Sequence, residues 1–312
     1  MASTIYATRS GFLYQDCYAI LEFLTHYLAR DLVEFHVDYP FTGRSGVKNQ
    51  RSIDVRLILK PLNENGNIER VCGVKTGENF KKNLPISDKE STQIKEAFRE
   101  LKEYASLSRP DNTALEMYMI IRPPLREVIA EVWGYLGYID GRQVFTGNAK
   151  TAATRLYRKL GFQTDFPSAH EMFGFVKRVK VRDSYKDIVD SMAESSSPID
   201  DAIIRKIEKI GGEFYADAAE YQMPSELLFS RLILECQKMA GLTNNFVPRL
   251  EEIMIDFFTK RKIIHKGWET DYKTTHDELV NYIKGWKKRV PVASATNQTV
   301  TSPTTSSEGE QI

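Results

Sequence analysis

The hydrophobic pattern of this chain changes period several times, and each change predicts an element. In "GFLYQDCYAILEFLTHYLAR", Phe12, Leu13, Ala19, Ile20, Phe23, Leu24, Tyr27 and Leu28 return at helical intervals, which predicts a helix over 11–30. "LVEFHVDY" then alternates. Val33, Phe35 and Val37 share one face and Glu34, His36 and Asp38 the other, which predicts a half-buried strand over 32–39, ending near Pro40. "RSIDVRLIL" and "ERVCGVKTG" read as two further strands around Asn65-Gly66. Residues 87–105 form an amphipathic helical pattern, and "LEMYMIIR" reads as a buried strand closed by Pro123-Pro124. "LREVIAEVWGYLG" is helical in pattern, "QVFTG" fits a short strand, and "AKTAATRLYRKLG" is a helix ended by Gly161. In "EMFGFVKRVKVR", Phe173, Phe175, Val179 and Val181 fall on one alternating face, which predicts a strand.

After "AESSSP" the strand signal stops. Residues 199–285 read as three to five helices, among them "SELLFSRLILECQKMAG" and "PRLEEIMIDFFTKRK". The expected organisation is an α/β domain over 1–192, with a mixed sheet flanked by helices. A helical assembly or partner-binding domain follows over 199–288, then a Ser/Thr-rich tail over 291–312 that is expected to be disordered.

Composition narrows the classes. At 312 residues with 42% apolar and 27% charged residues, the chain can bury a sizeable core. Its formal net charge of +1 neither demands nor excludes nucleic acid, so any phosphate-binding surface must gather its cations locally. No signal-peptide pattern opens the chain and no apolar run approaches the ~18 residues of a membrane span, so no membrane association and a cytoplasmic location are expected. Cys17, Cys72 and Cys236 lie far apart and fit reduced thiols better than disulfides or zinc ligands. There is no G-x-x-x-x-G-K-[ST] phosphate loop, and no Ser-His-Asp or Cys-His arrangement stands out.

The chemistry gathers around residues 51–77. A type I′ turn at Asn65-Gly66 would set Arg56 opposite Lys75, Ile58 opposite Gly73 and Lys60 opposite Val71, with Asp54 diagonal to Lys75. Asp54, Arg56, Gly73 and Lys75 then share a face, and Ile53, Val55, Leu57, Leu59, Cys72 and Val74 form the apolar one. Diagonal Cβ atoms in such a ladder lie within roughly 7–8 Å, room for a cation or an activated water between acid and lysine. Glu34 and Asp38 on the preceding strand are further oxygen donors for a hard cation such as Mg²⁺. A solvated hairpin face explains the same residues without chemistry.

Taken in order, these motifs resemble the restriction-endonuclease-like PD-(D/E)xK superfamily. They look most like the double-stranded-DNA endonuclease domain of CBASS-type antiviral effectors. The carriers are a helix with "GFLYQ", a strand with "VEFHVD", a strand with Asp54, a strand ending "VCGVKTG" and a long helix, over roughly residues 8–185. The resemblance implies a restriction-endonuclease-like fold and metal-dependent cleavage of double-stranded DNA in anti-phage defence. It further implies Mg²⁺ or Mn²⁺, a partner ATPase or sensor subunit, and a homo-oligomer. It makes Asp54 and Glu34 the metal-binding acids, Lys75 the lysine of the (D/E/Q)xK tripeptide, and Tyr14-Gln15 the site-lining pair of the first helix. The tripeptide's acid is replaced by Gly73. Glu34, Asp38, Glu78 and Glu90 are the candidates to replace it, and the carbonyl of Val74 can also ligate metal. The alternatives are an enzyme completed by its partner, or a decayed nuclease fold that acts as a DNA-binding or scaffold subunit.

Other residues carry weaker signals. His36 reads first as a solvated strand histidine and second as a site group. Gln15 reads equally as a surface or a site glutamine. Arg56, Lys81 and Lys82 are candidate DNA contacts, the two lysines against a solvated-loop reading. Arg178, Lys180 and Arg182 fit an ordinary wet strand face, and Lys260, Arg261, Lys262, His265 and Lys266 fit a cation-loaded helix end; both groups carry a nucleic-acid alternative. Trp268 and Trp286 are expected as core or interface anchors.

Overall fold

A computed structural model describes residues 2–42, 51–61, 65–76, 88–122, 147–183, 198–214, 224–266 and 271–288. The segments read as "LREVIAEVWGYLG" and "QVFTG", the Ser/Thr-rich tail, Glu78, Lys81, Lys82 and Trp268 lie outside the described residues.

Five strands form one mixed sheet in sequence order: β1 (Leu32–Phe41), β2 (Arg51–Leu59), β3 (Asn67–Thr76), β4 (Thr113–Arg122) and β5 (Val179–Asp183). The first three are antiparallel, and β3, β4 and β5 run parallel. Parallel neighbours need crossovers. Helix α2 (Asp88–Ala105) supplies one, and α3 (Gly147–Lys159) with α4 (Ala169–Val176) lies on the other. Helix α1 (Ala2–Ala29) precedes the sheet, and α5 (Pro198–Phe214), α6 (Ser225–Met239), α7 (Val247–Lys266) and α8 (Tyr272–Lys288) follow it. The fold is thus a mixed sheet flanked by helices with an all-helical part after it, as the pattern predicts.

Each sheet face has its own core. Ile94, Ala97, Phe98, Leu101 and Tyr104 of α2 recur at helical spacing and bury against Val71, Met117 and Met119, together with α3 and α4. On the other face Tyr14, Ile20, Phe23, Leu24 and Tyr27 of α1 pack on Val55, Leu57, Cys72, Val74, Tyr118 and Ile120. The same cluster takes in Ile203, Ile207 and Ile210 of α5, Leu228 and Leu232 of α6, Phe258 of α7 and Trp286 of α8. Trp286 is buried, its indole N–H donating to Glu213 at 3.0 Å, as expected of an anchor. All three cysteines are buried and unpaired with one another.

Three expectations need correction. The ladder between β2 and β3 pairs Arg56 with Val71 and Ile58 with Glu69, four positions away from the register that a tight Asn-Gly turn would impose. Pro61 has no N–H to extend the ladder. Gly66 serves another purpose: a Cβ there would lie 2.5 Å from the carbonyl oxygen of Asn112, whose backbone also accepts from Asn67 N–H at 3.1 Å. The glycine allows two chain segments to approach closely rather than making a hairpin turn.

The second concerns residues 169–176, which are helical rather than extended. The sequence carries the signal in Ser168-Ala-His-Glu171, a Ser-x-x-Glu capping pattern, and the Ser168 hydroxyl accepts from Glu171 N–H. Only 179–183 form the strand. Third, His36 is buried rather than solvated, at 2% exposure. Residues 241–246 run along the free edge of β1: Gly241 N–H donates to the Val37 carbonyl at 3.1 Å and Phe246 N–H to that of Phe35 at 3.0 Å. This covers the edge strand and presses Phe246 onto the His36 ring, 5.7 Å between centroids.

Asp165 ties α2 to the turn after α3. Arg99 Nε donates to it at 2.6 Å, Lys95 Nζ lies 3.5 Å away, and Lys102 Nζ donates to its backbone carbonyl. Burial opposes the charge, but the hydrogen bonds from Arg99 and Thr164 outweigh it and hold the carboxyl below its ordinary range. A depressed acid contributes stability above its unfolded pKa of about 3.9, and that contribution is lost as pH falls through the lower folded value. Asp165→Asn is therefore expected to cost about 1 kcal/mol in urea melts at pH 7, a figure reduced for the partial exposure of Arg99, and almost nothing near pH 2. Equal costs at both pH values would contradict this assignment.

Candidate functional site

Strands β2 and β3 part at Asp54. Their ladder ends at Val55 opposite Cys72, and the Asp54 carboxylate then takes over, its Oδ2 accepting from Val74 N–H at 2.6 Å. Val74 immediately precedes Lys75, whose backbone pairs with Ile121 of β4. On the other side of β2, the pairs Val37–Val55 and Tyr39–Ile53 place Asp38 of β1 opposite Asp54. Residues directly opposed in an antiparallel pair have Cα atoms roughly 4.5–5.5 Å apart.

The sheet changes sides at this level. Val37 and Val55 pack with the α1 cluster, whereas Ile53 and Phe41 pack with the α2 cluster. Strict alternation would put them all on one face. Asp38 has φ of +50°, a left-handed conformation that aspartate adopts more readily than most side chains. Gln15 of α1 holds it there, its Nε2 donating to Asp38 Oδ1 at 2.7 Å. Gln15 is buried. Strain of this kind inside a strand recurs at functional sites. Beside it Asp16 is also buried, and burial followed by the charge of Asp38 pushes its pKa up to about 6 against the hydrogen bond from Gln237. That bond, 2.7 Å from Gln237 Nε2 to Asp16 Oδ2, ties this corner to α6.

Of the residues chosen from sequence, the fold brings Gln15, Asp38, Asp54 and Val74 together. Glu34 stands apart. It lies opposite Ile58, about 13 Å along the strand from the level of Asp54, and pairs with Arg56 Nη1 at 3.0 Å and His36 Nε2 at 3.3 Å. Burial opposes its charge, but Arg56 and His36 hold its pKa below the ordinary value. The pKa of His36 is lowered too, by burial and then by the charge of Arg56 against its hydrogen bond to Glu34, which favours the neutral ring. The guanidinium of Arg56 is engaged by Glu34, Glu69 and the Tyr104 hydroxyl. Lys180 is bound to Glu116 at 3.0 Å, Lys260 to Asp256 at 2.8 Å and Lys262 to Glu278 at 3.3 Å.

Gly73 is not an open ligand position. A Cβ there would lie 3.6 Å from the Ala97 Cβ and 4.0 Å from Leu101 Cδ1, both buried on α2. Gly73→Glu is therefore expected to cost about 1–3 kcal/mol in a urea melt, because its stem and carboxylate enter an apolar interface. It should not raise any metal-dependent activity; a stable, more active variant would overturn this placement.

Sequence reasoning missed the polar centre at the level of Glu34 and Arg56. Glu69 accepts from Arg56 Nε and Tyr104 Oη on one oxygen and from Arg109 Nε on the other, each at 2.8 Å. A 250 Å³ pocket opens over it between Tyr39, Phe41, Ser108 and Arg109. The predicted register set Arg56 opposite Lys75, six residues along β3 from Glu69, so only the four-residue shift brings Arg56 and Glu69 together.

Among the described residues, no three His, Cys, Asp or Glu side chains gather as a metal-binding group, and no helix is long and apolar enough to cross a membrane. Set against protein-family models, curated proteins and solved structures, the chain matches none.

Proposed function

We propose that the chain is a metal-dependent endonuclease acting on double-stranded DNA, built on a restriction-endonuclease-like sheet. The reading is supported above all by one arrangement: Asp38 and Asp54 opposed where β2 and β3 part, with Asp38 held by Gln15 and Asp54 held by the N–H that precedes Lys75. The donors are all oxygen, two carboxylates with amide and backbone carbonyls to hand, which suits Mg²⁺ or Mn²⁺. Asp38 and Asp54 would hold the ion, with Asp38 in the role that the sequence resemblance gave to Glu34. When bound, such an ion supplies Lewis acidity, acidifying water and offsetting charge on phosphate.

The chain's own residues supply the rest. Val74 N–H fixes one Asp54 oxygen and so sets the orientation of the carboxylate. Gln15 fixes Asp38 in the same way. Lys75, on the strand beside them, orients the attacking water and offsets the negative charge of the transition state. The setting, defence against foreign DNA under the control of a partner ATPase or sensor subunit, rests on the motif resemblance. Supercoiled plasmid incubated with Mg²⁺ or Mn²⁺ should be linearised by the wild-type chain, with its partner where one is required, and not by Lys75→Ala. Cleavage that survives Lys75→Ala would sink this mechanism.

A second reading, a nuclease fold retained for binding or scaffolding, is favoured by Gly73, whose α-carbon faces Ala97 and Leu101 where the tripeptide's acid is expected. Unchanged cellular function in both Asp54→Asn and Lys75→Ala would establish that reading instead.

A further inference from the structure

Helix α3 carries a cationic face that the site above does not use. From residue 141 to residue 164 the sequence has no acid, while Lys150, Arg155, Arg158 and Lys159 all fall on α3. Lys150, Thr151, Thr154, Arg155 and Arg158 follow one another along one stripe of the helix, beside a cleft of about 630 Å³. Lys150, Thr151, Arg155 and Arg158 are exposed, whereas Ala153 and Leu156, on the other side of the helix, are buried in the α2 cluster. By contrast, Lys180, Lys260 and Arg249 each sit on an acid. Lys150 and Arg158 have no acidic partner among the described residues. In a chain of net charge +1, this is a local concentration of positive charge.

The chemistry of the face selects its partner. A helix that lies on a membrane needs large apolar side chains beside its cations. Among the described residues, the exposed large apolar side chains lie on β1, on α6 to α8 and at Leu242, and none lies on α3. Single-stranded nucleic acid calls for aromatic rings on which bases stack. The aromatic residue of α3, Tyr157, is half-buried and its hydroxyl donates to the Phe166 carbonyl at 2.9 Å. What remains is cations separated by small threonines, whose hydroxyls already bond to carbonyls one turn back. Lys150 and Arg158 are eight residues apart, about 12 Å along the axis, comparable to the width of the DNA major groove. We infer that α3 is a docking surface for the phosphate backbone of double-stranded DNA, holding the duplex without reading its sequence.

This inference adds a substrate-holding surface to the proposed nuclease, but it rests on the charge and exposure of α3 and holds whether or not the chain cleaves. The test is fluorescence anisotropy of the full chain with two unrelated labelled duplexes in EDTA, which separates binding from hydrolysis. Wild type should bind both duplexes alike. Lys150→Glu/Arg158→Glu should weaken binding about tenfold or more and flatten the plot of log K against log salt by nearly 2, at about 0.9 for each phosphate no longer neutralised. Lys150→Gln/Arg158→Gln should give a smaller loss in the same direction, and an unchanged far-UV spectrum and melting midpoint confirm that both variants fold. Equal affinity and slope in the wild type and the charge-reversed variant would overturn the inference. So would binding to phosphatidylserine vesicles in preference to the duplexes. A protein that cleaves plasmid with α3 reversed and duplex binding unchanged refutes this surface alone. One that binds through α3 yet cleaves under no metal refutes only the nuclease reading.

Discussion

Asp54→Asn is expected to reduce metal-dependent plasmid cleavage by at least ~100-fold while leaving the fold in place. Loss of a hydrogen-bond partner behind a metal ligand costs about 10–100-fold, so loss of charge on the ligand itself should exceed that. Asparagine is the informative replacement. Its amide oxygen still accepts from Val74 N–H, which Asp54 does at 2.6 Å, so the parting of β2 and β3 keeps its closing bond. Alanine would leave that buried N–H without a partner and confuse stability with chemistry. The measurement is the initial rate of supercoil loss at saturating Mn²⁺, with a urea melt alongside. A melt within about 1 kcal/mol of wild type and a rate near wild type would show that Asp54 has only the structural role of holding Val74.

Glu69→Ala should be the most destabilising of the substitutions considered, at about 3–5 kcal/mol. Glu69 is 5% exposed and answers two guanidiniums, which are themselves about one-seventh exposed. Arg109 in turn donates to the carbonyls of Tyr104, Ala105 and Leu107, so the pair closes the C-terminal end of α2 as well as joining it to β3. Removing the acid leaves Arg56 with Glu34 alone, leaves Arg109 with carbonyls but no acid, and frees the Tyr104 hydroxyl. Glu69→Gln keeps an acceptor for one donor and should lose less. Urea denaturation followed by tryptophan fluorescence resolves the difference, and a loss below about 0.5 kcal/mol for the alanine variant would mean that water replaces the carboxylate at little cost.

How much of this was legible beforehand follows from the range of each interaction. Apolar spacing in Ile94, Ala97, Phe98 and Leu101 is local, and it located α2 and its buried face. Alternation located β1 and β2, the β-like runs on either side of Asn65-Gly66 located β3 as well, and the apolar run closed by Pro123-Pro124 located β4, for the same reason. The register of β2 on β3 was not local. It depends on Pro61 and on Asn112 crowding Gly66 from the start of β4, and a dipeptide turn rule is blind to both. The helix at 169–176 was legible, through Ser168 and Glu171, but a run of alternating phenylalanines masked it. For the site, Asp54, Gln15 and Asp38 stood out as residue types, and only the fold could say that Asp38 rather than Glu34 shares a level with Asp54. His36 could not be placed at all from its own neighbourhood, because the ring that covers it comes from Phe246.

The shared cluster of α1 with α5 to α8 bears on how the chain acquires its structure over time. Helix α1 leaves the ribosome well ahead of α5 to α8, yet Asp16 meets Gln237 and Tyr27 meets Glu251 across more than two hundred intervening residues. The part of its apolar surface that meets α5 to α8 therefore waits until those later helices have been made. At roughly 5–20 residues per second that wait is about ten seconds or more. Such long loops are slow to close. A newly made α1 is thus a natural chaperone client, and the corner holding Gln15 and Asp38 is among the last parts of the molecule to reach its final form.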